Sequence, residues 1–259
     1  VVGDVPAVFP PVEPPATGVK FPDPRQAGRA EVLASGSDFR SGTMLEAYRH
    51  GIFPWPDSHG NVPWCSVLRR AVFPLEEPPH WSRSLRRTLR ITPFSSTLDD
   101  AFRDVVATCG DLRPHARWIT PPYAAAFGRL HDLGWAHSVE VWEEAPAGRV
   151  LVGGIYGIAI GAFFAGESMF HRKTDASKIA FATLVGALRA SGFVLFDVQV
   201  MNPHLESLGC VEVTRREYID RLERAVAGPP RRLELALPSR EGPLSPGPFP
   251  PASGKGAGE

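Results

Sequence analysis

A mixed α/β (α+β) fold is the architecture this 259-residue sequence predicts, and three observations carry it. Segments with apolar residues at helical spacing alternate with short apolar runs of strand character. The helical segments open on Ser, Thr or Pro and close at Gly, residues that suit helix termini for stated reasons: a side-chain acceptor, a preset φ and access to left-handed backbone. Proline gathers at the two ends, with seven of the 27 prolines in the first 24 residues and eight from Pro229 to Pro251. That is the composition of solvated, extended chain. The folded part is therefore expected over about residues 20 to 226, with disordered Pro-rich tails at 1–19 and 227–259.

In chain order, Ser41 is expected to cap a helix that closes at Gly51. From Pro78 to Leu98 there is no acidic residue, and Arg83, Arg86, Arg87 and Arg90 fall at i, i+3, i+4 and i+7, on one helical face. Thr97-x-x-Asp100 has capping-box spacing ahead of Phe102, Val105, Val106 and Cys109, which predicts a further helix. Pro121 and Pro122 suit the first turn of a helix running to Gly134, and Ala176 to Ser191 repeats the pattern before Gly192. His137 to Trp142, Val150 to Ile160, Ala162 to Met169 and Phe193 to Val198 are short and apolar, bounded by Gly or charge, and read as strands. There is no internal repeat.

Charge and cysteine usage narrow the function. A formal net charge of zero excludes global capture of a polyanion, so any nucleic-acid contact must be local. The arginine stripe is the one element suited to a phosphate backbone, although a solvated helix face has the same appearance. Cys65, Cys109 and Cys210 lack the spacing of a zinc site or a disulfide framework, so no metal is expected and a reducing compartment fits. Val1 to Pro15 has no charged region ahead of an apolar one, so a cytoplasmic setting is expected. The run Val150 to Phe164 is broken by glycines and is shorter than the roughly 20 residues that span a bilayer; it reads as strand, turn, strand.

Chemistry is suggested where polar groups interrupt buried runs. Gly166-Glu167-Ser168-Met169-Phe170-His171 and Asp197-Val198-Gln199 place acid and amide side chains inside strand-like segments. A carboxylate removed from water costs several kcal/mol unless paired, so a fold keeps one mainly when something charged will meet it. Glu167, Asp197 and Gln199 are therefore the leading candidates. Trp55 and Trp118 lie near turns, where a ring could face an unstacked base or pack in the core. Ser168 lacks the second glycine of a nucleophile elbow, and His131 and His137 are not spaced as zinc ligands on one helix face. His204, at an expected helix start, reads as a structural residue before it reads as a base.

Taken together, Phe21-Pro22-Asp23-Pro24, Leu45-x-Ala47-Tyr48-x-x-Gly51-Ile52-Phe53-Pro54-Trp55, Trp118-Ile119-Thr120, Leu130-His131-x-x-Gly134-x-Ala136-His137-Ser138-Val139-Glu140-Val141-Trp142, Gly153-Gly154-x-Tyr156-Gly157, Gly166-Glu167-Ser168-Met169-Phe170, Ser177-Lys178 and Ser207-Leu208-Gly209 resemble the leucyl/phenylalanyl-tRNA–protein transferase family. The resemblance spans about residues 20 to 226. It implies a small N-terminal domain at 20–118 bearing the basic helix, and an acetyltransferase-like (GNAT) catalytic domain at 119–226. Arg172-Lys173-Thr174-Asp175-Ala176-Ser177 offers no glycine loop for a coenzyme A pyrophosphate. The implied donor is an aminoacyl-tRNA, with no separate cofactor.

The implied reaction moves leucine or phenylalanine, less well methionine, onto proteins beginning with arginine or lysine, marking them for N-end-rule degradation. With no acidic or hydrophobic assembly signal in the sequence, a monomer is expected. By matching positions, Gln199 lies beside the attacking amine, held by Asp197, and Glu167 near the acceptor's N-terminal residue. Gln199 can orient the amine but is barely basic; Asp197 is either structural or helps the amine lose its proton. Ile155, Ser168, Met169, Phe181, Leu184 and Phe196 match substrate-binding positions, the apolar ones as donor-pocket walls; Trp55 and Trp118 match rings that hold the aminoacyl end and terminal adenosine, and Arg83, Arg86, Arg87 and Arg90 the basic patch for tRNA. The family's usual Trp-Trp-Ser-Pro with a later Arg appears here as Trp64-Cys65-Ser66-Val67-Leu68-Arg69-Arg70, and its Gly-Gly-Asp-Leu as Gly36-Ser37-Asp38-Phe39. Phe181 stands where a smaller aliphatic residue is common, which implies a preference for leucine over phenylalanine. An acyltransferase with another donor and a silent aminoacyl-tRNA-binding module remain the alternatives.

Overall fold

The computed structural model describes residues 8–36, 38–57, 61–112 and 118–235. Tail residues 1–7 and 236–259, together with Ser37, lie outside the described residues. Helices and sheets alternate as a mixed α/β structure. The first part contains β1 (Val32–Ser35), α1 (Ser41–Arg49), β2 (Phe53–Pro54), β3 (Pro63–Cys65), β4 (Arg69–Phe73), α2 (Arg83–Ile91), β5 (Ser95–Leu98), α3 (Phe102–Asp111) and α4 (Pro121–Asp132). The second contains β6 (Ala136–Glu143), β7 (Val150–Ile160), β8 (Phe163–His171), α5 (Ala176–Ala190), β9 (Leu195–Gln199), α6 (Pro203–Ser207), β10 (Val211–Thr214) and α7 (Arg215–Val226).

A three-stranded sheet has the order β1-β3-β2, and a seven-stranded sheet the order β10-β4-β9-β8-β7-β6-β5. All pairs are antiparallel except β8 with β9. The division expected at 118/119 falls between α3 and α4, while β4 and β5, from before it, belong to the seven-stranded sheet.

Side-chain alternation gives the large sheet two apolar faces. Phe163 joins a core with α1, α3, α4 and α7, and its neighbour Phe164 joins one with α5. Because both faces are covered, β7 is buried along almost its whole length and shows an unbroken apolar run. Close packing explains its glycines: a Cβ at Gly153 would lie 2.7 Å from the Cβ of Ala176 on α5.

Most helix ends follow their local chemistry. Thr120 accepts from the Tyr123 N–H ahead of Pro121 and Pro122, Ser82 accepts from Leu85 N–H, and Gly51, Gly134 and Gly192 take positive φ beyond α1, α4 and α5. Two caps differ from expectation. Ser41 is the first residue of α1, with Arg40 at the cap position and no side-chain cap bond. Thr97 lies in β5, where its hydroxyl donates to Glu140 at 2.6 Å; α3 opens at Phe102 after Ala101 instead. The buried carboxylate competes for the threonine more strongly than the helix end does.

Part of the expected N-terminal tail is packed on the body. Val12 N–H donates to Leu133 O at 2.8 Å, Trp135 Nε1–H donates to Val12 O at 2.8 Å, and Glu13 pairs with Arg49. At the other end Leu233 is buried and Glu234 N–H donates to Ser191 Oγ. Among the described residues, no helix is long and apolar enough to cross a membrane.

Candidate active site

Pairing irregularities in the large sheet create the site. The parallel contact of β8 with β9 ends at Ala165↔Asp197. On the other edge of β8 the register with β7 jumps from Tyr156↔Ser168 to Gly157↔Gly166, so Glu167 is the extra residue of a bulge. A bulge re-aims side chains that strict alternation would send to opposite faces. Glu167 and Ser168 consequently both reach one cavity of about 170 Å³.

The cavity gathers residues from distant parts of the chain: Phe53, Pro54, Trp55 and Trp118, then Ile155, Gly166, Glu167, Ser168, Met169 and Phe181, then Val198, Gln199, Val200, Asn202 and Leu205. Its lining combines polar Glu167 and Gln199, hydrogen-bonded to each other, with apolar Ile155, Met169, Phe181 and Leu205. Trp55, 44% exposed, is the open edge, and Trp118 stands edge-on to Tyr123 with ring centroids 5.3 Å apart.

Gln199 Nε2 donates to Glu167 Oε1 at 3.1 Å and Tyr123 OH donates to Glu167 Oε2 at 2.6 Å. No cation pairs with Glu167 among the described residues, and burial pushes its carboxyl up to about 7, against the lowering effect of Tyr123. The same carboxylate raises the hydroxyls of Tyr48 and Tyr123, after burial itself, so both remain protonated. The Ser168 hydroxyl is buried in the wall with no hydrogen-bond partner among the described residues.

Asp197 lies beneath this surface, fully buried, and does not line the cavity. Its expected charged partner is inside the protein: Arg70 donates from Nε to Oδ1 at 2.8 Å and from Nη2 to Oδ2 at 2.6 Å. Tyr218 OH adds 2.9 Å to Oδ2, and Gln199 N–H adds 2.9 Å to Oδ1. Although burial opposes the Arg70 charge, Asp197 holds the guanidinium firmly protonated. Gln199 itself has φ of 57°, in the left-handed region that costs a residue with a Cβ.

The structure thus brings together Trp55, Trp118, Ile155, Glu167, Ser168, Met169, Phe181 and Gln199. Leu184 and Phe196 are buried behind the wall. Phe196 meets the ring of Phe181 at 5.3 Å, and Phe73 and Trp81 hold that ring from other sides at 5.5 and 6.4 Å. Arg83, Arg86, Arg87 and Arg90 are exposed on α2, outside the cavity. Sequence reasoning gave no site role to Arg70, Tyr218, Tyr123 or Tyr48, although Tyr48 and Arg70 lie in strings compared with the family pattern. Arg70 carried a readable signal, since it precedes the apolar run Ala71-Val72-Phe73 as a charge at the start of a buried strand.

Residues 72–223 match the family model described as leucyl/phenylalanyl-tRNA protein transferase, and residues 37–67 match the model of that family's N-terminal domain. A leucyl/phenylalanyl-tRNA–protein transferase of Shewanella baltica is 47% identical over 203 residues, covering 77% of this chain and 84% of the relative. One from Chlorobaculum tepidum is 46% identical over 186 residues, covering 71% and 93%. A solved structure described as "Crystal structure of FemX" aligns with TM-score 0.46 and 9% identity over 57% of this chain and 60% of its own, too loose a likeness to carry an argument.

Proposed function

The chain belongs to the leucyl/phenylalanyl-tRNA–protein transferase family, and we propose that the cavity between β8 and β9 is where it joins an amino acid to a protein N-terminus. The protein is an aminoacyltransferase that moves leucine or phenylalanine from aminoacyl-tRNA to a protein's N-terminal amine. The observation that carries the location is that one cavity of about 170 Å³ is lined both by apolar residues and by the hydrogen-bonded pair Glu167 and Gln199. An aminoacyl ester has an apolar side chain to bury beside a carbonyl to be attacked, and both needs are met there.

In this reading the donor side chain packs on Ile155, Met169 and Phe181, with Leu184 and Phe196 backing the wall, and methionine enters less well. Trp55 and Trp118 hold the aminoacyl end and terminal adenosine. Ser168 donates its unpartnered hydroxyl to the ester carbonyl. Because Gln199 spends its amide N–H on Glu167, its carbonyl oxygen is left to accept from the attacking amine. The amine nitrogen bonds to the ester carbon, the ester C–O bond breaks, and the tRNA hydroxyl leaves with a proton. Since the ester already carries the activation, no cofactor is required and positioning supplies most of the acceleration. Glu167 faces the N-terminal arginine or lysine of the acceptor.

Exposed Arg83, Arg86, Arg87 and Arg90 on a neutral protein support a local tRNA-docking patch. The parting of parallel β8 and β9 supports a GNAT-like catalytic domain with a smaller N-terminal domain packed on it. A cytoplasmic monomer completes the reading, with N-end-rule degradation as the fate of its products. The test is transfer of labelled leucine from leucyl-tRNA by the unaltered protein and by Gln199→Ala. The unaltered protein transfers label; Gln199→Ala loses turnover by about tenfold or more and keeps its tRNA affinity. Equal loss of both would assign Gln199 to folding.

A further inference from the structure

The carboxylate of Asp197 has no room for a substrate proton. Each oxygen already accepts two hydrogen bonds: Oδ1 from Arg70 Nε and Gln199 N–H, Oδ2 from Arg70 Nη2 and the Tyr218 hydroxyl. Four donors nearly exhaust the acceptor capacity of a carboxylate. The group is also fully buried, while Gln199 lies between it and the cavity.

Arg70 is fixed as firmly as its partner. Its guanidinium carbon lies 4.5 Å from the Phe53 ring centroid and 4.4 Å from that of Tyr218, and Nη1 donates to Gly51 O at 3.3 Å. The fork therefore ties four elements together at one point: β4 supplies Arg70, β9 supplies Asp197, α7 supplies Tyr218, and Phe53 comes from β2, which lines the cavity. Besides the Phe53 ring, this junction presents to the site one backbone bond, Gln199 N–H to Asp197 Oδ1, made by a residue at φ of 57°. Left-handed backbone at a glutamine persists only when its surroundings over-determine it.

We propose that Arg70 and Tyr218 are positioning residues for the transfer reaction, and that Asp197 acts as a fixed anion which locks Gln199 in its left-handed conformation without accepting the amine's proton. The inference rests on the functional reading above and decides a role that the sequence leaves open. It also explains why a fork is needed: lysine would keep the charge but cannot bond both carboxylate oxygens while stacking between two rings.

The test measures single-turnover transfer, charged-tRNA affinity and melting for three sets of variants beside the unaltered protein. Tyr218→Phe keeps the ring over Arg70 and removes one hydrogen bond to Asp197. It is expected to lower the transfer rate about tenfold, the scale of one bond to a charged group, with tRNA affinity and acceptor KM unchanged. An unchanged rate would overturn the proposal. Arg70→Lys is expected to show the same split between rate and binding; turnover per folded molecule equal to the unaltered protein would reduce the pair to a structural role. Asp197→Asn alone leaves Arg70 buried without its counter-charge and loses turnover. Adding Arg70→Gln to it should recover at least about tenfold, because a neutral pair can still hold Gln199 N–H. Activity with no carboxylate at 197 supports the proposal; a double variant that folds, binds charged tRNA and transfers nothing overturns it. No transfer by the unaltered protein would instead overturn the functional reading, and this inference with it.

Discussion

Burial holds the Glu167 carboxyl at about 7, with its Tyr123 hydrogen bond working the other way, so its charge changes within the range where an N-terminal amine also titrates. As pH rises through about 7 the group ionises and can meet a cationic acceptor. The kcat/KM for an arginine-terminated peptide is therefore expected to rise with an inflection near 7 and a second one near 8 from the amine itself. Glu167→Gln should erase the first and keep the second; a profile unchanged by the substitution contradicts its role toward the acceptor. The proposed donor pocket assigns the other selectivity to Phe181, which lines the cavity. Its ring is fixed by Phe73, Trp81 and Phe196, so it cannot yield to a larger donor. Phe181→Leu should raise the phenylalanine-to-leucine ratio of kcat/KM by about tenfold, since pocket volume discriminates side chains by about 1–3 kcal/mol; an unmoved ratio places the limit elsewhere. The carboxylates and Gln199 were legible as polar groups in apolar runs. Tyr48 and Tyr123 were not, because each arrives from a helix remote in sequence and looks locally like any other helical tyrosine.

Helix termini, with proline and glycine as markers, were the readable elements, and β7 and α5 lie close to where periodicity puts them. The short strands β1 to β5 were not readable, because runs of two to five residues show no period until a sheet pairs them. The Thr214-x-x-Glu217 signature of α7 was present: Thr214 accepts from Glu217 N–H. Bulge and splay, which make the site, are properties of pairing between strands and have no local signal. The same pairing buries Glu140 on β6, where Thr97 and Ser138 hydroxyls and Asp100 N–H approach it. Burial pushes this carboxyl up to about 7, against those hydrogen bonds. The native state then keeps a proton that the unfolded chain releases near the ordinary carboxylate value. Stability from this group is full below about 4.5 and falls as pH rises to about 7, by about 3 kcal/mol in all. Glu140→Gln should remove that part of the decline in denaturant titrations at pH 5 and pH 8; an equal decline in both proteins would contradict the buried proton.

On the scale of the molecule, a neutral protein places its arginine stripe on α2, and α2 packs on α5, whose Phe181 lines the cavity. In the proposed function the donor's long nucleic-acid body and its small reactive end would have separate places, on two helices that pack together. Trp55 and Phe53, from the chain's first part, close a cavity whose floor comes from β8 and β9, so the site requires both parts of the fold. The proposed site also gives the acceptor's cationic N-terminal residue its own place beside Glu167, and peptide choice tests that directly. Labelled leucine on tRNA would be offered with two peptides that differ only in an N-terminal arginine or alanine. Label is expected on the arginine peptide alone. Equal labelling of both peptides, or bound charged tRNA with no transfer to either, would contradict it.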